Sequence, residues 1–443
     1  MMMTFDELNL NKQLRSALAE LNFTHPTTIQ HKSFAVIMSG RDIVGIAQTG
    51  TGKTLSYLLP ILRQWEFSKD LVPRVLIMVP TRELVVQVVE TARELSRYMS
   101  VKTVGVYGGG NINTQMAALQ EGADIVVGTP GRVYDLAVRG SLKMNSMKRL
   151  VIDEVDEMLG LGFKFQLINI MRLLPQRRQN LMFSATLTDD VEVLIYDFFN
   201  NPEKIEAAPA GSPLENITQT AYKVPNFYTK INLLELLLRT DANMTKVLVF
   251  AATKKMADDI YEIVAKKFPG AIGVIHSGKT QPNRFDTVEK FQNNTYRVLI
   301  ATDIIARGLD IAEVSHVINF DVPDVPESYI HRIGRTGRAD QKGLAITFVT
   351  KADTTYKTAI ETLMKRKIKL LPSPEGLEIS TELTAAETPK TEIGKVLGKV
   401  RAPQEEMAFH QKSEKNMKEN FHLTRDMKHR LKYGKPLKRK PKK

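Results

Sequence analysis

The strongest constraint on the fold is a rhythm of ten short apolar runs, each bounded by turn residues and separated by stretches of helical period. DIVGIA (42–47), RVLIMVP (74–80), DIVVGTP (124–130), RLVIDE (149–154) and NLMFSAT (180–186) form a first series. KVLVFAAT (246–253), AIGVIHSG (271–278), RVLIATD (297–303), HVINFD (316–321) and GLAITFVT (343–350) form a second. Short runs that are apolar on both faces and alternate with helices are the pattern of buried parallel strands, whose crossover helices cover both sides of the sheet. The predicted class is α/β, with two doubly wound parallel-sheet domains in tandem. NPEKIEAAPAGSPLENITQ (201–219) breaks the rhythm with Pro, Gly, Ser and Asn and reads as a linker. The expected domains are residues 1–208 and 209–372, with 373–443 as a C-terminal extension. No repeat of fixed period is visible, which excludes a solenoid.

Composition narrows the class of function. The 443 residues contain no cysteine, so disulfides, thiolate metal sites and thiol nucleophiles are excluded. MMMTFDELNL lacks the basic and apolar regions of a secretory signal, and no apolar run reaches membrane-spanning length, so the expectation is a soluble, cytoplasmic protein. Formal net charge is +13, which favours polyanionic partners. Between Arg401 and Lys443 there are 14 Lys and Arg against 5 Asp and Glu, placing +9 of that charge in one segment. That segment has almost no apolar periodicity. It reads as a disordered basic tail that either only solubilises the chain or adds nucleic-acid affinity.

The chemistry begins at AQTGTGKT (47–54), between a predicted strand and a predicted helix. Gly50 and Gly52 let the backbone turn tightly so that its N–H groups face a phosphate chain at the helix N-terminus. Lys53 can reach the β- and γ-phosphates of a nucleotide, and the Thr54 hydroxyl can ligate Mg²⁺. The general pattern begins with Gly where this chain has Ala47. A second strand ends in RLVIDEVDEM, where Asp153 could hold Mg²⁺ and Glu154 could orient and deprotonate an attacking water. Both carboxylates stand at a strand's carboxyl end, where open α/β sheets bind ligands.

In chain order, AQTGTGKT, PTREL (80–84), GG (108–109), TPGR (129–132), DEVD (153–156), SAT (184–186), ATDIIARGLD (301–310) and HRIGRTGR (331–338) closely resemble the motif series of DEAD-box ATP-dependent RNA helicases. The resemblance runs from Phe5 to about residue 350. It implies two RecA-like domains, ATP with Mg²⁺, and RNA as the partner. NFTHPTTIQ (22–30) resembles the family's adenine-recognition motif, with Phe5 at the separation of its isolated aromatic. The sequence departs at Val155, where a smaller residue is usual; at Asn22, where glycine is usual; and at Ile305.

By this resemblance Gln30 pairs with the adenine edge and Phe5 stacks on its face, although by residue type alone they would be a solvated helix residue and a core anchor. Thr49, Gly50, Thr51, Gly52, Lys53, Thr54 and Asp310 would complete the nucleotide site. Arg335 and Arg338 resemble arginine fingers supplied by the second domain. Asp156, Ser184, Thr186, Arg307 and His331 would couple the nucleotide state to RNA. RNA contacts would fall on Thr81, Arg82, Gly109, Thr129 and Arg132 in the first domain and on Gln281, Arg284 and Thr302 in the second. Hydroxyls, glycine amides and arginines suit backbone phosphates and 2′-hydroxyls, giving sequence-independent binding. No aromatic ladder for stacking bases is visible. The expected function is local unwinding of short duplexes in a closing interdomain cleft; an ATP-gated RNA clamp or annealing factor, a DNA translocase and a non-enzymatic scaffold are the alternatives. Ribosomal or RNA-decay proteins are the partner classes such an engine would serve.

Overall fold

The computed structural model describes residues 4–47, 50–67, 69–70, 72–206, 216–303, 314–337 and 342–388. Its first sheet holds β1 (Ile43–Ile46), β2 (Val75–Met78), β3 (Thr103–Val106), β4 (Ile125–Gly128), β5 (Arg149–Asp153), β6 (Gln179–Ser184) and β7 (Glu203–Glu206), in the order β3-β4-β2-β5-β6-β1-β7. The second holds β8 (Ile217–Lys223), β9 (Val247–Phe250), β10 (Ile272–Ile275), β11 (Val298–Ala301), β12 (His316–Asn319), β13 (Gly343–Val349) and β14 (Lys369–Leu371), ordered β10-β11-β9-β12-β13-β8-β14. Counted from its own first strand, the second sheet has the order of the first. All pairings are parallel, for example Val44 with Met182 and Val249 with Ile318.

Helices cover both faces of each sheet. In the first they are α1 (Lys12–Glu20), α2 (Thr28–Met38), α3 (Lys53–Arg63), α4 (Arg82–Leu95), α5 (Ile112–Gln120), α6 (Pro130–Val138), α7 (Val155–Gly160), α8 (Lys164–Leu173) and α9 (Asp189–Phe198). In the second they are α10 (Phe227–Thr240), α11 (Lys254–Lys267), α12 (Gln281–Gln292), α13 (Pro326–Ile333) and α14 (Thr354–Met364). The strands have to be apolar throughout because successive side chains enter different cores. Ile43, Val75, Ile77, Val151 and Leu181 join residues of α1 to α4, whereas Val44, Leu76, Met78, Ile152 and Met182 join residues of α6 to α9. The second sheet divides likewise, with Val247 and Val249 on one side and Leu248 and Phe250 on the other.

The ten apolar runs are all strands, but four strands are not among them. β3 carries a half-buried Gly105, β7 and β14 are edge strands with exposed positions, and β8 alternates buried with exposed residues at its start, so none reads as an apolar run. The stretch read as linker, 201–219, therefore carries β7 and the first residues of β8.

The beginning of the predicted extension is also ordered. Asn226 and Asn232 donate to the carbonyls of Ser380 and Glu378, at 2.6 and 2.9 Å, and the Glu387 carboxylate accepts from the Phe227 N–H at 2.7 Å. Residues 372–388 thus strap along α10 and cap its N-terminus. The basic segment beyond lies outside the described residues. Both sheets belong to one compact unit that ends at Glu387.

Candidate active site

The loop after β1, the end of β5 and the end of β6 are brought together because β5, β6 and β1 are neighbours in the sheet. Gly50 and Gly52 hold φ at 83° and 82°, left-handed angles that glycine adopts without strain, and Gly52 caps α3. Gln30 is wired to this loop. Its amide nitrogen donates to the Gly52 carbonyl at 3.1 Å, and its amide oxygen accepts from the Thr27 N–H at 2.9 Å in a capping box that opens α2. Phe5 is 6% exposed and belongs to the first core, the anchor role suggested by residue type alone, which leaves little ring surface for a ligand.

Lys53 opens α3 with its Nζ 3.8 Å from the Asp153 carboxylate, and both side chains are buried. Lys53 Nζ, Asp153 Oδ1 and Glu154 Oε2 are buried without a hydrogen-bond partner. Such groups are costly to leave unpaired; Lys53 could meet anionic oxygens, and the two carboxylates could meet a cation or a water. Tyr57, one helical turn on from Lys53, donates to Asp153 Oδ2 at 3.1 Å and also shares a hydrogen bond with Thr54. Burial, with Asp153 beside it, pushes the Tyr57 phenol well above its ordinary value, so it serves as a neutral donor.

Glu154 caps α7 with φ at 55°, a strained angle for a side-chain-bearing residue. Its carboxyl is pushed up to about 7, chiefly by burial and further by Asp153, against the opposing charges of Lys53 and Arg335. Arg335 belongs to the second lobe, so its charge reaches Glu154 from across the interface. Burial likewise raises Asp153, with Lys53 pulling the other way. Among the described residues no group of three or more Asp, Glu or His side chains is placed so that together they could hold a metal ion. A divalent ion here would therefore take Asp153, the Thr54 hydroxyl and phosphate oxygens of a bound nucleotide, the sparse protein ligation that Mg²⁺ accepts.

Beside the trio is a clamp. Asp156 Oδ2 accepts from the backbone N–H groups of Ala185 (3.2 Å) and Thr186 (3.0 Å) and from the Thr186 hydroxyl (2.9 Å), while the Ser184 hydroxyl donates to the Thr186 carbonyl at 2.6 Å. His331 of α13 enters from the second lobe, its Nδ1 against Glu157 and its Nε2 4.0 Å from Asp156. Asp156, Ser184, Thr186 and His331 are thus gathered at one point. Val155 is fully buried in the neighbouring core, and the clamp beside it is intact.

A cavity of about 620 Å³ lies between the lobes, lined among others by Thr81, Arg82, Gly109, Thr129 and Arg132 from one side and by Gln281 and Arg284 from the other. Gly109 holds φ at 78°, and a Cβ there would strike the Arg82 guanidinium. Arg132 donates to Gln115 at 2.8 Å and to the Gly110 carbonyl at 3.1 Å, which fixes its fork. Glu83 of α4 pairs with Arg284 of α12 and accepts from Gln281 at 3.0 Å, closing one end of the cavity. Thr302 is buried at the end of β11 but is not among the lining residues. Thr49, Arg307, Asp310 and Arg338 lie outside the described residues.

Comparison with known proteins decides the family. The DEAD/DEAH box helicase model matches residues 27–194, and the helicase conserved C-terminal domain matches 229–340. The DEAD-box ATP-dependent RNA helicase CshA of Bacillus cereus is 38% identical over 393 residues, 88% of this chain and 74% of CshA. The chain belongs to the DEAD-box ATP-dependent RNA helicase family. Its members hydrolyse ATP, and this helicase is an enzyme of that class. The structure of Saccharomyces cerevisiae Dbp5 bound to RNA and ADP BeF3 is 30% identical, with a TM-score of 0.75 over 83% of this chain and 95% of Dbp5. Mss116p bound to single-stranded RNA and AMP-PNP is 26% identical, with a TM-score of 0.76 over 85% of this chain and 81% of Mss116p. The two sheets are therefore the tandem RecA-like domains of the family.

Several residues of this helicase's site escape sequence reading. Tyr57, Glu83 and Glu157 act through partners about 96, 201 and 174 positions away in the chain, respectively Asp153, Arg284 and His331. Arg332 sits inside HRIGRTGR, yet it is 2% exposed and forks onto both oxygens of Asp303 at 2.6 and 2.8 Å. Through that pair it ties the segment that carries Arg335 to Asp303, just after β11. The order of motifs names three arginines but does not show that Arg332 is held in a buried ion pair with Asp303.

Proposed function

We propose that this helicase hydrolyses ATP between its two RecA-like domains and uses their closure to hold a single RNA strand and separate short duplexes. The observation that carries this reading is that the second lobe supplies Arg335 to Glu154, and Arg284 to Glu83, on one interface. The nucleotide and RNA sites are each completed only when the lobes meet.

Lys53 sets its charge against the phosphate chain that the loop cradles, with Thr49, Gly50, Thr51 and Gly52 shaping that loop. Thr54 and Asp153 hold Mg²⁺, which when bound neutralises phosphate charge. Glu154 takes the proton of the attacking water as the water oxygen bonds to the terminal phosphorus and the bond from that phosphorus to the bridging oxygen breaks, so that ADP leaves with that oxygen. With its carboxyl near 7, Glu154 is basic enough to accept that proton and is still substantially ionised at neutral pH. Arg335, and by resemblance Arg338, offset the charge that develops on the transferring phosphoryl group. Asp310 would contact the ribose, Gln30 would meet the adenine edge, Phe5 could meet the adenine only through the small part of its ring that the core leaves exposed, and Arg307 would link RNA to hydrolysis. For Gln30 this requires exchanging its bond to Gly52, so adenine recognition and loop geometry would be linked.

The backbone of one RNA strand is assigned to the interlobe cavity, against Thr81, Arg82, Gly109, Thr129, Arg132, Gln281 and Arg284; Thr302, buried after β11, would join them by resemblance alone. Hydroxyls, glycine and arginines there favour phosphate and 2′-hydroxyl contacts, so RNA should stimulate turnover where DNA does not. His331 reports the state of the Asp156 clamp across the interface. The test is ATP hydrolysis with and without single-stranded RNA, with DNA as control, followed by strand separation on a short duplex. Stimulation by RNA alone together with duplex separation supports the reading. Stimulation without separation assigns the chain to the clamp class, and equal stimulation by DNA removes the 2′-hydroxyl argument. Glu154→Gln should retain ATP and RNA while hydrolysis stops; normal turnover by that variant would remove Glu154 from its role as base.

A further inference from the structure

The cleft wall formed by α6 and α8 continues outward into an exposed aromatic shelf. Phe163, which precedes α8, and Gly131 of α6 both line the cavity, and a Cβ on Gly131 would lie 3.9 Å from the Phe163 ring. Two residues on, Phe165 is 64% exposed. Its ring meets Tyr134 of α6 edge-on, with centroids 6.0 Å apart and planes at 80°. Tyr134 is itself packed against the core, so the pair is anchored from beneath. In an edge-to-face contact one ring sets its edge on the other's face, which fixes the pair's orientation and leaves at least one face of the exposed ring uncovered.

We propose that Phe165, braced by Tyr134, is a stacking platform for one nucleobase of the RNA strand just outside the interlobe cleft; this rests on the assignment of RNA to that cleft. The cleft residues suit backbone contacts and offer bases no aromatic partner apart from Phe163. A strand held by its sugar–phosphate backbone leaves its next base unstacked at the rim, where an exposed ring lowers the cost. Stacking is sequence-tolerant, in keeping with a cleft that reads no bases. The platform is the size of one base. Around it the surface is mixed, with Val138 of α6 and Leu173 of α8 exposed and Asn169 and Arg172 polar beside them.

The test uses the full chain with AMP-PNP and labelled oligouridylates, a hexamer that fills the cleft and a dodecamer that reaches beyond it. Phe165→Ala and Phe165→Leu should each weaken dodecamer binding by about tenfold and leave the hexamer within about twofold. Phe165→Trp should hold the dodecamer at least as well as the native chain. Unchanged dodecamer binding by Phe165→Ala overturns the proposal and returns the shelf to protein docking or to no role. Equal rescue by Leu and Trp also overturns it, since apolar burial would then suffice without stacking. Arg132→Ala separates the two readings. If the cleft holds RNA, this variant weakens both lengths; if hexamer binding ignores Arg132, the cleft assignment fails whatever Phe165 shows. RNA-free ATPase activity and the circular dichroism spectrum, unchanged in all Phe165 variants, exclude misfolding.

Discussion

Glu154 carries the sharpest consequence at the residue scale. Its carboxyl stands near 7 in the folded chain, against an ordinary value near 4.5. A base must be ionised to act, so RNA-stimulated hydrolysis should rise about tenfold per pH unit below that value and level off above it, a single-proton limb that a pH–rate profile reads directly. The same shift bears on stability with the opposite trend. Between pH 4.5 and 7 the folded chain binds a proton that the unfolded chain has lost, so raising pH through that window removes stability, and the loss is complete above the folded value. Glu154→Gln removes this penalty and should stabilise the nucleotide-free protein at pH 8 by up to about 3 kcal/mol, with no such gain below pH 4.5. Denaturant melts at the two pH values check it; a gain that persists in acid would mean that the charge is not its source. The neighbouring Val155 is a packing residue. Val155→Ala should cost about 1–3 kcal/mol of stability and leave kcat within about twofold, because the Asp156 clamp does not depend on the valine methyl groups. Asn22 illustrates what sequence can show at this scale. It adopts φ of 57° after α1, the left-handed position where glycine is usual and asparagine is tolerated.

Between elements, the lobes are joined by side chains that no local pattern reveals. The latch of Glu83 on α4 with Gln281 and Arg284 on α12 is buried, so losing one partner leaves a charge without its counterpart. Glu83→Ala should raise the RNA concentration for half-maximal ATPase stimulation at least about tenfold while RNA-free hydrolysis changes little. A double-mutant cycle with Arg284→Ala should return a coupling of about 2 kcal/mol, and strict additivity would show that the pair does not latch the closed state. The ten apolar runs were legible because central strands bury both faces, and the phosphate loop and carboxylates were legible because their chemistry is local in sequence. β7 and β14 were not, since an edge strand needs no apolar run, and the stretch 201–219 was read as linker for that reason. Glu83, Glu157 and Arg332 look like ordinary charged helix residues until the fold supplies Arg284, His331 and Asp303. Gln30 and Phe5 differ again, because ligand recognition in one and core anchoring in the other use the same residue types that hold the loop and the core here.

At the scale of the whole molecule, one strand order occurs twice without a visible sequence repeat, since parallel sheets constrain apolar pattern and topology but not residue identity. The C-terminal region then divides into two parts with separate roles. Residues 372–388 belong to the second lobe: Glu387 and Asn226 satisfy the first N–H groups of α10, Ser380 donates its N–H to the Thr229 hydroxyl at 3.1 Å, and Leu377 packs against the core. A chain ended after Thr388 should therefore melt within about 1 °C of the full chain. One ended after Leu371 loses the cap and the Leu377 contact, about 2–3 kcal/mol together, and should melt several degrees lower. Charge behaves in the opposite way. The segment from Arg401 to Lys443 holds +9 of the net +13, so removing it should flatten the salt dependence of RNA affinity while ATPase activity at saturating RNA stays constant. If the chain ended after Thr388 kept the full salt slope, the tail would only solubilise the protein, and the phosphate contacts that release counterions would all lie within the two lobes.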